Sequence, residues 1–191
     1  DLMGFGRRAL SVTPAEMKSY IMYQVGALQT FLRADGMTLQ HVKPHGAMYN
    51  AAAKDIKLSR AICEAIAECA PGAILLCLSG SEMCRAAEEC GILYASEVFA
   101  DRAYEDDGSL VARSKPGAVI TDENEAIARV VRMVRESKVT SVNGKDISIK
   151  ADSICVHGDN AHALEFVTRI RAALKAENIS TAPLGDVISA R

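Results

Sequence analysis

The residue pattern predicts an α/β fold built on parallel strands. Helix-like and strand-like stretches alternate along the chain, the order expected of such folds. One strand-like run, Ala73 to Leu78, is continuously apolar, as a strand covered on both faces must be. Three strand-like runs stop at ionisable clusters. His41-Val42 meets Lys43-Pro44-His45-Gly46, Glu97–Ala100 meets Asp101-Arg102, and Ile154–Val156 meets His157-Gly158-Asp159. Loops at the carboxyl ends of parallel strands carry chemistry without disturbing the core, so three such clusters predict one active-site rim.

Residues 1–12 read as a loop. Gly4-Phe5-Gly6 has no strand before it and is not a dinucleotide fingerprint. Thr13-Pro14-Ala15-Glu16 is a capping box with proline at the first helical position. Met17, Ile21, Val25, Leu28 and Leu32 then form one apolar stripe, and Gly36 stops the helix. Leu39 to Lys43 reads as a short strand. A second helix covers about 55–69, with Leu58, Ile62, Ile66 and Cys69 on one face and Pro71-Gly72 after it. After the Ala73–Leu78 strand, Ser79-Gly80-Ser81-Glu82 reads as another capping box, opening a helix that Gly91 closes. Tyr94 to Phe99 is the next strand.

Residues 101–120 form a polar loop long enough to predict a lid or binding role. Asp122-x-x-Glu125 opens a helix striped by Ile127, Val130, Val131 and Val134. Asn143-Gly144, between Val139–Val142 and Ile147/Ile149, predicts a hairpin. Ser153 to Val156 is the last core strand. Asp159 caps the final helix, striped by Leu164, Val167, Ile170 and Leu174. The pattern thus contains four core strands, where a closed barrel usually has about eight. It fits either a small open sheet or part of a larger barrel.

The 191 residues suffice for a single domain spanning 1–191. A net charge of -2 and the lack of a basic run give no basis for nucleic-acid binding. No apolar stretch approaches the roughly 20 residues of a membrane span, and no signal peptide is apparent. The six cysteines lie scattered on apolar faces without a Cys-x-x-Cys pair. They read as buried reduced thiols, which favours the cytoplasm.

Each cluster offers specific chemistry. Neutral His45 is a candidate general base and Lys43 a candidate anion holder; the alternative is a surface lysine and a helix-capping histidine. Asp101 is a candidate to activate water, with the planar fork of Arg102 for a carboxylate or phosphate; the alternative is an ion pair closing the loop. Arg113 and Arg7 are further anion-binding candidates. His157 and Asp159 are candidates for proton transfer or, with His162, weak candidates for a divalent metal. His41 reads as a strand residue packed against a helix. Walker A, Gly-x-Ser-x-Gly and His-Glu-x-x-His sequences are all missing.

Five segments resemble the LamB/YcsF family. They are Gly4–Arg8, His41–Asn50 (His-Val-Lys-Pro-His-Gly-Ala-Met-Tyr-Asn), Glu97–Arg102 with Tyr104, Asp107–Val111 with Arg113, and Cys155–Asp159. That resemblance implies a seven-stranded β/α barrel of the sugar hydrolase and deacetylase type, in which this chain is the carboxyl-terminal portion. Its strands would be the fourth to seventh, with Ser79-Gly80-Ser81 at the exit of the fifth. The family's amino-terminal section, with an Asp-Leu-Asn-x-Asp start and a Cys-Gly-x-His-Ala-Gly-Asp segment, has no counterpart in this sequence. The implied activity is that of one component of ATP-dependent 5-oxoprolinase, opening the lactam of 5-oxo-L-proline to L-glutamate together with subunits B and C. ATP is then a co-substrate. His45, Asp101, His157 and Asp159 are the expected catalytic groups; Lys43, Arg102, Arg113 and Arg7 are the expected anion holders. Two other readings are a metal-dependent amide hydrolase or deacetylase, and a non-catalytic carboxylate-binding regulatory subunit.

Overall fold

The structure, a computed structural model, describes residues 1–158 and 162–190. The chain divides into two compact units, Asp1–Ala95 and a second from Ser96 onward.

In the first unit, helix α1 (Pro14–Ala34) starts where the sequence predicts. Thr13 Oγ1 accepts from the Glu16 N–H (3.3 Å), and the Glu16 carboxylate accepts from the Thr13 N–H (2.7 Å), closing the capping box. Met17, Ile21 and Val25 are buried, but Leu28 is exposed, so the stripe is covered only over its first half. Strand β1 is just His41–Val42; helix α2 (Ala47–Ala52) follows, and α3 (Ile56–Cys69) begins at an Asp55 cap. The sequence pattern does not reveal α2, whose six residues are too few to show a period. Strand β2 (Ile74–Leu78) is buried throughout, as its apolar run requires. It lies parallel to β1, with His41 opposite Ile74 and Val42 opposite Leu75. α1 and α4 (Glu82–Cys90) both pack on α3.

The Ser79–Glu82 capping box does not form. The helix begins after Ser81, whose side chain makes no cap hydrogen bond, although Gly91 ends it in the left-handed conformation as expected. His41 is exposed, its Nδ1 near the Gln40 side chain (3.2 Å), rather than packed against a helix.

Strand β3 (Tyr94–Phe99) carries the chain into the second unit. There Glu97, Val98 and Phe99 pair in parallel with Ser153, Ile154 and Cys155 of β6 (Ser153–Cys155). Helix α5 (Glu123–Glu136) is capped by Asp122, which accepts from the N–H groups of Asn124 and Glu125. It buries Ala126, Val130 and Met133, a face rotated from the predicted valine stripe. The predicted hairpin is β4 (Lys138–Thr140) against β5 (Asp146–Ser148), antiparallel, with Gly144 at positive φ. Helix α6 (Ala163–Ala176) buries Phe166, Ile170 and Leu174 and exposes Leu164; the short helix α7 (Leu184–Ser189) follows. The Asp159 cap lies outside the described residues.

The fold is therefore α/β with parallel strand pairing, as predicted. The 101–120 loop is better ordered than its polarity implies. Two isolated bridges, Arg102–Val119 and Tyr104–Leu110, fold it over a small core of Ala103, Val111 and Ala118. Among the described residues no helix is long and apolar enough to cross a membrane.

Candidate active site

In the second unit, parallel pairing of β3 with β6 ends both strands together, at Phe99 and Cys155. That register brings the residues just beyond them, Asp101 and His157, into contact. His157 Nδ1 lies 2.9 and 3.1 Å from the two carboxylate oxygens of Asp101. Both side chains are about one-fifth exposed, reachable yet partly desolvated. The Phe99 ring stacks on the imidazole, with centroids 5.9 Å apart. On the other edge, Arg113 Nη2 lies 3.0 Å from His157 Nε2.

Arginine has donors only, so Nε2 must accept. The ring proton then sits on Nδ1 and is donated to Asp101. This is a carboxylate-oriented neutral imidazole whose Nε2 lone pair points at a cation from the long loop. Such an imidazole can take a proton through Nε2 once Arg113 moves aside. Arg113 occupies the Nε2 edge that a divalent ion would need, and Asp159, the other weak metal candidate, lies outside the described residues. Among the described residues no group of three or more His, Cys, Asp or Glu is arranged to hold a metal ion.

Arg102 is placed differently from its expected anion-binding role. It is 5% exposed, and its guanidinium donates to the carbonyls of Ala118 (3.2 Å) and Val111 (2.5 Å). Burial, followed by the charge of Arg113, holds it below the ordinary arginine value. Its geometry is that of a brace closing the 101–120 loop. Three residues support this arrangement, of which Arg129 is not apparent from the sequence alone. Arg129 donates to the Arg102 carbonyl (3.1 Å), and Tyr104 is buried with its hydroxyl oxygen accepting from the Phe99 N–H (2.9 Å). Burial raises the Tyr104 phenol above its usual range, keeping it a neutral structural group. Phe99 completes the set. The sequence signal for Arg129 is no more than a charge beside buried Val130.

In the first unit, the exit of β1 forms its own cluster. Gly46 has φ +62 and ψ -119, a conformation glycine tolerates, and a Cβ there would collide with the Gly6 carbonyl. The close approach lets the Ala47 N–H bond that carbonyl (2.8 Å). His45 Nε2 lies 2.9 Å from the Phe5 carbonyl and so carries the proton, leaving Nδ1 with the lone pair. The Phe5 ring packs edge-on to His45, with Arg7 above its face at 5.4 Å. Lys43 lies 5.6 Å from the Tyr49 ring centroid. His45 and Lys43 border a cavity of about 840 Å³, walled mainly by apolar residues such as Met17, Ile21 and Met48. Thus Asp101, His157 and Arg113 meet in one cluster, and Arg7, Lys43 and His45 surround another. Asp159 falls outside the described residues.

The LamB/YcsF family model matches residues 1–189. The chain belongs to the LamB/YcsF family. Relatives named as the A subunit of 5-oxoprolinase include one from Clostridium beijerinckii, 62% identical over 96% of this chain and 72% of its own length. Another, from Campylobacter jejuni, is 56% identical over 98% of this chain and 74% of its own. A crystal structure of a lactam utilization protein from Thermus thermophilus superposes with a TM-score of 0.85 at 40% identity, covering 95% of this chain and 72% of that one. The family segments and the geometry coincide: Asp101 and His157, one from each of two family-like segments, meet because Glu97–Phe99 pairs with Ser153–Cys155.

Proposed function

We propose that this LamB/YcsF chain is the A component of a 5-oxoprolinase, a lactam-opening enzyme of the cytoplasm that consumes ATP and works with subunits B and C. The identity to relatives of that name carries the reading. The likeness to the Thermus lactam utilization protein supports it and fits a chain that supplies strands to a seven-stranded β/α barrel.

A lactam carbonyl is a poor electrophile, so opening it calls for an activated water and stabilisation of the developing oxyanion. Phosphorylation of the lactam oxygen at the expense of ATP supplies the activation. Asp101 orients His157, and His157 Nε2 takes the proton of the attacking water. Arg113, the cation on the same edge, stabilises negative charge on substrate or oxyanion. Lys43, His45 and Arg7 form a second group of anion-binding and proton-transfer candidates at the β1 exit, and Asp159 adds a carboxylate after His157.

The test is release of glutamate from 5-oxo-L-proline by this chain assembled with subunits B and C and ATP. Turnover that disappears when this chain is left out supports the reading. An assembled complex that binds 5-oxoproline without turning it over points instead to a regulatory carboxylate-binding role.

A further inference from the structure

Cys77 lies in β2 one residue before its end at Leu78, and Cys84 lies in the first turn of α4. The Ser79-Gly80-Ser81 turn folds the chain back so that the two Sγ atoms are 3.0 Å apart. A disulfide has its sulfurs about 2.05 Å apart, so roughly 1 Å of approach separates this contact from a bond. We propose that Cys77 and Cys84 are a peroxide-oxidisable dithiol, a modification site that closes to a disulfide across the turn leaving β2.

The surroundings favour reaction at Cys84. Cys77 is fully buried, whereas Cys84 retains 8% exposure. The Cys77 thiol beside it, helped by backbone groups of Ser81 and Gly80, overcomes burial and lowers Cys84 to about 7. The start of a helix also favours a thiolate there. Cys63, fully buried, is pushed up to about 12, chiefly by burial, and serves as an internal contrast.

The chemistry balances with hydrogen peroxide as oxidant. The Cys84 thiolate attacks one peroxide oxygen and the O–O bond breaks, giving a sulfenic acid and a hydroxide that picks up a proton to become water. The Cys77 sulfur then attacks the Cys84 sulfur; the S–S bond forms, the S–O bond breaks, and a second water leaves with the Cys77 proton. The two thiols lose two electrons and the peroxide gains them.

The experiment treats the reduced chain with hydrogen peroxide and reads intact mass and tryptic fragments. Mass should fall by about 2 Da, the two thiol hydrogens. The tryptic peptide 61–85 contains Cys63, Cys69, Cys77 and Cys84, and its backbone fragments should vanish only between 77 and 84. In Cys77→Ser, Cys84 should instead accumulate as a sulfenic acid that dimedone traps. A linkage between any other pair, or Cys77 and Cys84 still alkylatable after other thiols have oxidised, overturns the proposal. The wild-type fragment map decides even if a variant folds poorly.

Discussion

Asp101 and His157, 56 residues apart in sequence, meet at 2.9 Å because β3 and β6 pair in parallel and finish level with one another. The carboxylate accepts the hydrogen bond from Nδ1–H and so fixes which ring nitrogen faces the loop. Without Asp101 the imidazole is free to flip or change tautomer, and Nε2 loses its assignment as the accepting nitrogen.

Asp101→Asn therefore keeps the shape of the contact while removing its charge and its preference for the Nδ1–H tautomer. We expect kcat for glutamate release by the assembled complex to fall about 10²–10⁴-fold, with little change in melting temperature. His157→Gln should lose activity on a similar scale. Near-normal turnover in both variants would remove this pair from the chemistry.

The α1 capping box gives a pH-dependent prediction. Hydrogen bonds from Thr13 lower the Glu16 pKa below its ordinary 4.5. A carboxylate with a depressed folded-state pKa adds stability that is fully present above its unfolded value. That contribution is lost as pH falls through the lower folded one. Thr13→Ala should cost about 1 kcal/mol at neutral pH in a denaturant titration. The difference between wild type and Thr13→Ala should shrink below about pH 4.5. A gap that stays constant down to about pH 2 would show that the Thr13 hydroxyl adds nothing to the Glu16 shift beyond the Thr13 backbone N–H, which the variant retains.

Local signals are legible in the sequence where one residue type has one strong use. Thr13, Asp122, Gly91 and Asn143-Gly144 mark their caps and turn, and the apolar run at 73–78 marks a covered strand. The Ser79–Glu82 pattern misleads because two serines flanking Gly80 offer more than one starting point, and the chain uses Ser81. The Asp101–His157 cluster is legible as two strand exits. Which groups touch is not, because contact depends on the β3–β6 register. Arg102 shows the limit most clearly: an arginine beside a strand end reads as a ligand holder until its burial and its two carbonyl partners are known.

Arg102→Met tests that bracing role. The substitution keeps much of the side-chain volume but leaves the Ala118 and Val111 carbonyls without their charged donor. A hydrogen bond to a charged group contributes about 1.5–3 kcal/mol, so a loss of about 2–4 kcal/mol is expected. It should appear as a lower denaturation midpoint and faster proteolysis within 101–120. If Arg102 instead binds substrate, KM will rise while stability holds.

Arg113→Gln separates the two partners of His157. Arg113 is exposed on the loop and reaches Nε2 with one nitrogen, leaving the rest of its fork for an anion. Glutamine can still donate to Nε2, so the imidazole stays oriented, but the positive charge is gone. A lost charge-assisted hydrogen bond of about 1.5–3 kcal/mol corresponds to roughly a 10–150-fold weaker interaction. If Arg113 holds the substrate carboxylate, that loss falls on KM for 5-oxoproline and leaves kcat nearly intact. If it stabilises the oxyanion, kcat falls and KM changes little. Equal kinetic constants for wild type and Arg113→Gln would mean that the guanidinium serves only to occupy Nε2 in the resting protein.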